Sequence, residues 1–405
     1  MTLGTNRQTA SAWRRRAWAA AALILFAAPL WSQTSRVFRE GNAWIEETTG
    51  TLPAAREFRA FTEVGSLQVQ GIAPEVKYVV RKKSTADTEE AARRQFDQLR
   101  VTASKVGDAV VVEGRLLSSN VSRMAAEFAV QIPRMTQLVK AETRGGALAL
   151  TSIQGKVLGL TGGGTVKLDD IGGAVKVISG GGAMEAGNVY ADVFLQSGGG
   201  AVSVEHVHGQ LMVKTGGGKV RIGAAGPTTI ETGAGNIEVG RCEGDLHANT
   251  GGGNLNLGDV MGSVEVETGG GSVKLGSSQG YVKVETGGGN VELWKVAQGA
   301  HVETGMGAIT TQFVGGRNQF RESYLHTASG NVTVYLPRDL GVNIHASTEM
   351  YTGAGIRTDF PGLGMSSEGG QWGPKSMFAE GALNGGGPVL RVRTTIGQIE
   401  IKRWQ

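Results

Sequence analysis

The chain has 405 residues, 65 of them glycine, with 6% aromatics and a formal net charge of +4. Basic and acidic residues are interspersed, so no basic groove or aromatic platform is offered to a nucleic acid. The single cysteine, Cys242, excludes an intramolecular disulfide and leaves packing alone to hold the fold.

At the N-terminus, Arg14-Arg15-Arg16 precedes an apolar run from Ala17 to Trp31. A charged segment followed by an apolar one too short for a comfortable membrane span predicts a signal peptide or an uncleaved N-terminal anchor over residues 1–33. The arginines match a twin-arginine signal poorly, and no cysteine follows that could carry a lipid. Export to the periplasm, the cell surface or the medium is expected. Residues 34–57 are polar and mixed and read as a leader.

Residues 58–140 predict a β cap. Gly65–Val69, Lys77–Arg81, Ala109–Glu113 and Phe128–Ile132 alternate apolar and polar residues as strands do. One helix interrupts them, with Asp87 as its cap, Glu90 three residues on, and Ala92, Phe96 and Leu99 on one face. Placed there, it would cover the open edge of the first coil that follows.

Residues 141–335 carry the organising repeat. Gly-Gly-Gly recurs at Gly162–Gly164, Gly180–Gly182, Gly198–Gly200, Gly216–Gly218, Gly251–Gly253, Gly269–Gly271 and Gly287–Gly289, a period of 18 with one deletion after Gly216. A Thr or Ser precedes each slot, from Thr143 to Thr304. Within the period, Gly262–Val266, Gly271–Leu275, Gly280–Val284 and Gly289–Leu293 start nine residues apart, each a short alternating strand. Two strands per period predict an all-β fold, a parallel β-solenoid of about ten coils with a thin core between two sheets; a three-sided coil stays open if the turns bend further. The middle glycines Gly163, Gly181, Gly199, Gly217, Gly252, Gly270 and Gly288 are expected to be structural turn residues, required by positive φ and by close coil stacking.

After Thr304 the period lengthens by five residues around Gly315–Arg321. A β cap is expected over 336–405, with a strand at Val342–Ala346, a glycine-rich loop bearing Trp372 and Phe378, and closing strands Leu390–Arg393 and Gln398–Ile401.

The Thr286–Leu293 rhythm, the helix-interrupted start and the closing strands resemble the bacterial putative-adhesin family of unknown function, also called toastrack-like, over roughly residues 60–402. The resemblance implies an extracytoplasmic β-solenoid, in some members coupled to envelope-stress systems, with no catalytic residues to carry over.

The repeats themselves offer little chemistry. Calcium-binding β-rolls need an acid in each turn, whereas these turns are glycine and Asp169, Asp170, Asp192, Asp245 and Asp259 fall out of register. A phosphate-cradling loop needs a following Lys-Ser/Thr and a helix, which these turns lack. Glu267, Glu285 and Glu303, with Glu231 further up, form an outward column read as a solvated face. Arg221 with Glu238, Lys274 with Glu292 and Glu265 with Lys283 read as ladder pairs. His206 and His208 share a strand face without a third metal ligand, and Cys242 reads as a small loop residue. The Thr/Ser column predicts hydroxyls that cap the corners, bonding to one another and to the next coil. No catalytic, cofactor or metal site is expected.

The candidate ligand-binding residues are Arg317, Phe320, Arg321, Tyr324 and Trp372, because insertions in repeat proteins mark the functional face. Aromatic rings beside arginines suit sugar rings or acidic envelope polymers; the competing reading is a plug at the end of the solenoid. The function expected is an exported, non-enzymatic, adhesin-like structural and binding protein, partnered by an envelope polysaccharide or surface protein. The alternative is a carbohydrate-active β-helix enzyme, a polysaccharide lyase or hydrolase.

Overall fold

The computed structural model describes residues 33–118, 124–316, 318–351, 354–369 and 375–404. Each 18-residue repeat folds as one coil of two strands, as in Val264–Thr268 and Val273–Ser278. The longer strands stack into sheet A and the shorter ones into sheet B. Both ladders are parallel and advance by one repeat per step, so that Val264 pairs with Val282 and Thr268 with Thr286. Val264, Val266, Val273 and Leu275 point inward and are buried, giving a narrow core that runs the length of the molecule. Period-two alternation alone produces this division into inner and outer residues.

The coil is two-sided, with a bend in one side. In sheet A the pairing passes over the fourth strand position: Val239 pairs with Leu257 and Arg241 with Asp259, skipping Gly240 and Gly258. Two successive residues then face outward before Cys242 turns back into the core. Cys242 is therefore the buried last residue of strand Ile237–Cys242 and not a loop residue. Its Sγ lies 3.2 Å from the Gly226 carbonyl oxygen, where the equivalent Ser278 bonds Gly262.

The triple-glycine corners correct the expectation drawn from sequence. None of the middle glycines has a positive φ, and a β-carbon on Gly163, Gly181, Gly199, Gly217, Gly252 or Gly270 would meet nothing within 4 Å. On Gly288 its nearest neighbour would be Met306 at 3.8 Å. The flanking glycines carry the constraint: a β-carbon on Gly269 would lie 2.2 Å from the Gly251 carbonyl oxygen. Stacked coils bring the first and third positions over backbone, while the middle one projects into solvent.

The Thr/Ser column bonds to backbone and not to its own members. Thr268 Oγ1 accepts from the Gly271 N–H and donates to the Gly253 carbonyl of the preceding coil, both at 3.2 Å. The same donation is made by Thr161, Ser197, Thr250 and Thr304, so each buried hydroxyl ties its own corner to the one before.

Both ends are closed by coils placed out of chain order. Strands Glu57–Thr62 and Ser66–Gln70 form a coil that pairs with Leu138–Thr143 and Leu148–Ile153 on one side. On its other side lie Ala109–Leu116 and Met124–Gln131, later in the sequence but nearer the end. At the far end the last coil, Val389–Ile396 and Ile399–Trp404, slots between Ser323–Pro337 and the strands Val342–Met350 and Ile356–Thr358. Antiparallel strands finish both sheets at the N-terminal end and sheet B at the other, while sheet A ends there on the short parallel strand Ile356–Thr358. Residues 34–57 are part of this closure and not a leader: Ala43–Leu52 pairs with Val76–Ser84 and buries Ala43, Ile45 and Leu52. The helix, Glu89–Phe96, is capped by the Thr88 side chain, one residue later than Asp87. Its buried Ala92 and Phe96 face the end strands Val76–Ser84 and Ala43–Leu52, while Leu99 begins the next strand.

Candidate functional site

Outward positions in sheet B fall into two columns, the second and fourth residues of each strand, and stacking places like positions about 4.8 Å apart. Toward the C-terminal end the fourth-position column reads Asn249, Glu267, Glu285, Glu303 and His326. These side chains wall a shallow groove of about 580 Å³ whose floor is the Thr and first-glycine columns, including Thr268, Gly269, Thr286 and Gly287. The first-position glycines keep the floor close-stacked, since a β-carbon on Gly269 or Gly287 would meet the carbonyl of the coil before it.

The carboxylates of the groove are each held by a neighbour. Asn249 Nδ2 donates to Glu267 at 3.1 Å, Lys283 lies 3.0 Å from Glu285, and His301 Nε2 lies 3.1 Å from Glu303. Glu285 and then Glu265 bond the Lys283 ammonium and hold it above the ordinary lysine range. Glu231 pairs with Lys214 outside the groove. The other expected ladder pairs also form, Arg221–Glu238 at 2.9 Å, Lys274–Glu292 at 3.2 Å and Lys283–Glu265 at 3.2 Å.

Beyond the last carboxylate the face becomes aromatic and cationic. Tyr324 sits one row past His301, with ring centroids 5.2 Å apart, and stacks on His326 at 5.9 Å and 25°. His326 lines the groove, and its Nδ1 has no hydrogen-bond partner among the described residues. The next row brings Arg391 opposite Tyr324 and Arg393 opposite His326. Arg393 is paired with Glu349, which raises its pKa above the ordinary arginine range. Three rows thus gather a carboxylate, two imidazoles, a phenol and two guanidinium groups that the sequence scatters over some ninety residues.

The candidate residues of the insertion divide. Phe320 is 4% exposed and meets Phe313 edge-on at 5.1 Å and 89°, which is the plug arrangement and not a presented ring. The extra residues widen the corner, and Phe320 fills the space. Arg321 stays exposed, with its backbone tied to the Gln298 carbonyl at 2.6 Å. Tyr324 belongs to the face just described. Arg317 and Trp372 lie outside the described residues.

Sequence reading missed His301, His326 and the two arginines, whose alignment depends on the out-of-order final coil. It also missed Trp294 and Tyr335, 6.1 Å apart on the outer face of sheet A, with Lys402 6.0 Å from the Tyr335 ring. A signal for them existed: they occupy the strand position that is Gly223, Gly240, Gly258 and Gly276 in other coils. The His206 and His208 rings lie 4.4 Å apart, tilted at 55°, and no group of three metal-ligating side chains forms among the described residues.

No family model matches the chain, and no curated protein matches it. Solved structures similar to it include a "putative cell adhesion protein" from Clostridium sporogenes, 12% identical over 89% of this chain and 100% of the other, with a TM-score of 0.19. Two others come from Parabacteroides distasonis, each covering 89% of this chain and 97% of its own. One is a "putative adhesin", 8% identical with a TM-score of 0.23, and the other a "putative lipid binding protein", 9% identical with a TM-score of 0.23. Likenesses of this size leave function to be argued from the chain's own geometry.

Proposed function

We propose that the protein is an exported, non-enzymatic, adhesin-like module of the cell envelope that binds a charged envelope polysaccharide or surface protein. The observation that carries this reading is the Tyr324 row, where an aromatic face lies between His301 and His326 and beside Arg391 and Arg393. An aromatic ring covers the apolar face of a sugar, and the Arg391 guanidinium takes its carboxylate or sulfate substituents, Arg393 being already paired with Glu349. The long ladder behind it supplies rigidity, so the site is held in place before the ligand arrives. The Glu267–Glu303 groove adjoins this row, and its carboxylates keep the anionic substituents of a ligand on the arginine side.

One observation favours a second reading. Stacked carboxylates wall the groove along the coil corners, as the acids of a polysaccharide hydrolase or lyase would. Each is already bonded to a neighbouring side chain, which favours a ladder over an acid–base pair. A screen of envelope glycans and surface components, read both for binding and for release of shortened chains, separates the two. Binding without chain shortening supports the proposal, and turnover that is lost in Glu285→Gln supports the enzyme.

A further inference from the structure

We propose that the outer face of sheet A carries a second binding site, built on Trp294 and Tyr335, that takes an uncharged glycan. The outward fourth position of the sheet A strands is Gly223, Gly240, Gly258 and Gly276 in successive coils, and then its character changes. The next rows place Trp294, Gln312, Tyr335 and Lys402 there, with Glu292, Thr310, Thr333 and Glu400 at the outward second position. Trp294 is left 39% exposed.

Local backbone geometry brings the two rings together. Leu293 pairs with Thr311 and Val296 with Phe313, so Trp294 and Lys295 together oppose the single residue Gln312. A bulge of this kind re-aims its side chains. Trp294 and Tyr335 stand two rows apart, about 9.6 Å along the ladder. Their ring centroids nevertheless come within 6.1 Å, tilted at 32°. On the other side of Trp294 its neighbour in the column is Gly276, which has no side chain to cover the indole.

The polar groups around the rings identify the ligand. Thr310, Gln312 and Thr333 form no side-chain hydrogen bond among the described residues, and neither do the Trp294 indole N–H and the Tyr335 hydroxyl. Hydroxyl and carboxamide groups both donate and accept, as sugar hydroxyls do, and an aromatic ring covers the apolar face of a pyranose. The acids at either end are already paired, Glu292 with Lys274 at 3.2 Å and Glu400 with Lys402 at 2.6 Å. Lys402 lies 6.0 Å from the Tyr335 ring centroid, at the outer limit of a cation–π contact, and does not cover the ring. Lys295 is exposed on the margin. A patch of neutral donors and acceptors selects an uncharged ligand, whereas Arg391 beside Tyr324 selects an anionic one. The four rows span about 14 Å by about 7 Å, far below the ~800 Å² that each partner gives to a stable protein interface. That extent suits a short stretch of glycan.

Calorimetric titration of the full chain with neutral hexasaccharides of glucose, mannose, xylose and N-acetylglucosamine tests this. At least one is expected to bind, with an affinity that does not change between low and high salt. Trp294→Ala and Tyr335→Ala should each weaken it by ~10-fold or more, at unchanged melting temperatures. Trp294→Phe should retain most of the affinity, and Lys295→Ala and Tyr324→Ala should leave it unchanged. The Tyr324→Ala result keeps this site distinct from the row on sheet B. No binding of any hexasaccharide at millimolar concentration, or binding that survives Trp294→Ala with Tyr335→Ala, would overturn the proposal. So would self-association of the parent that Trp294→Ala abolishes, which would assign the rings to a protein contact.

Discussion

A β-carbon added to Gly271 would lie 1.9 Å from the carbonyl oxygen of Gly253, one coil back. That contact is backbone to backbone and cannot be relieved by a rotamer change. Gly271→Ala should therefore lower stability by about 2 kcal/mol or more, because the coils must separate locally. Gly270→Ala, whose new methyl group points into open space, should stay within about 0.5 kcal/mol of the parent. Thermal melts of the two variants check this, and equal effects would mean that the corners are not stacked as described.

The buried hydroxyl column makes a second expectation. Thr268→Val keeps the shape but leaves the Gly271 N–H and the Gly253 carbonyl without their partner. A loss of about 1–3 kcal/mol should follow. Thr268→Ser should be nearly silent, since Ser179 and Ser197 already fill equivalent positions with the same bonds. Denaturant unfolding of both variants gives the comparison.

The N-terminal end covers exposed strands, so its removal should be visible in solution. A chain starting at Thr143 would lose Glu57–Thr62 and Ser66–Gln70 and uncover the strand Leu148–Ile153 along its whole length. Such a truncation should self-associate through that edge. Light scattering reads this directly; a monodisperse monomer would show that the end coils are dispensable.

Stability should fall in acid through identifiable carboxylates. Lys219, by hydrogen bond, and then Arg221 hold the Glu238 carboxyl below its ordinary value of 4.5, and Arg134 does the same for Asp170. A carboxylate whose pKa is lower in the folded state stabilises fully above its unfolded value and loses that contribution as pH falls through the folded value. The melting temperature should therefore hold above about pH 5 and decline below pH 4.5. Glu238→Gln with Asp170→Asn should shallow the decline. An unchanged profile would place the acid sensitivity elsewhere.

The repeating body was legible because its signals are local. Period 18 sets the coil, period two sets which residues face inward, and the ladder pairs Arg221–Glu238 and Lys274–Glu292 need only the register. What escaped depends on where the coils sit in space. Nothing local in Leu390–Arg393 says that this strand lies between Ser323–Ser329 and Val342–Met350, yet that placement brings Arg391 and Arg393 to Tyr324. The middle glycines misled for a similar reason. Composition signals a crowded corner, but only the stacking geometry shows that Gly269 and Gly271 are crowded while Gly270 is open. The polar look of residues 34–57 reflects their outer positions on an end strand and not a lack of structure.

Binding by the Tyr324 row is the central claim, and one comparison tests it most directly. The chain from Gln33 onward and its Tyr324→Ala and Arg391→Ala variants are measured against the same array of acidic and neutral envelope polysaccharides and surface proteins. Each substituted side chain is outward, so the melts should match the parent. The account predicts binding of a charged polymer or surface protein by the parent and a loss of about tenfold or more in each variant, corresponding to about 1.4 kcal/mol or more per side chain. Binding that survives both substitutions unchanged would contradict it and move the site elsewhere on the rod.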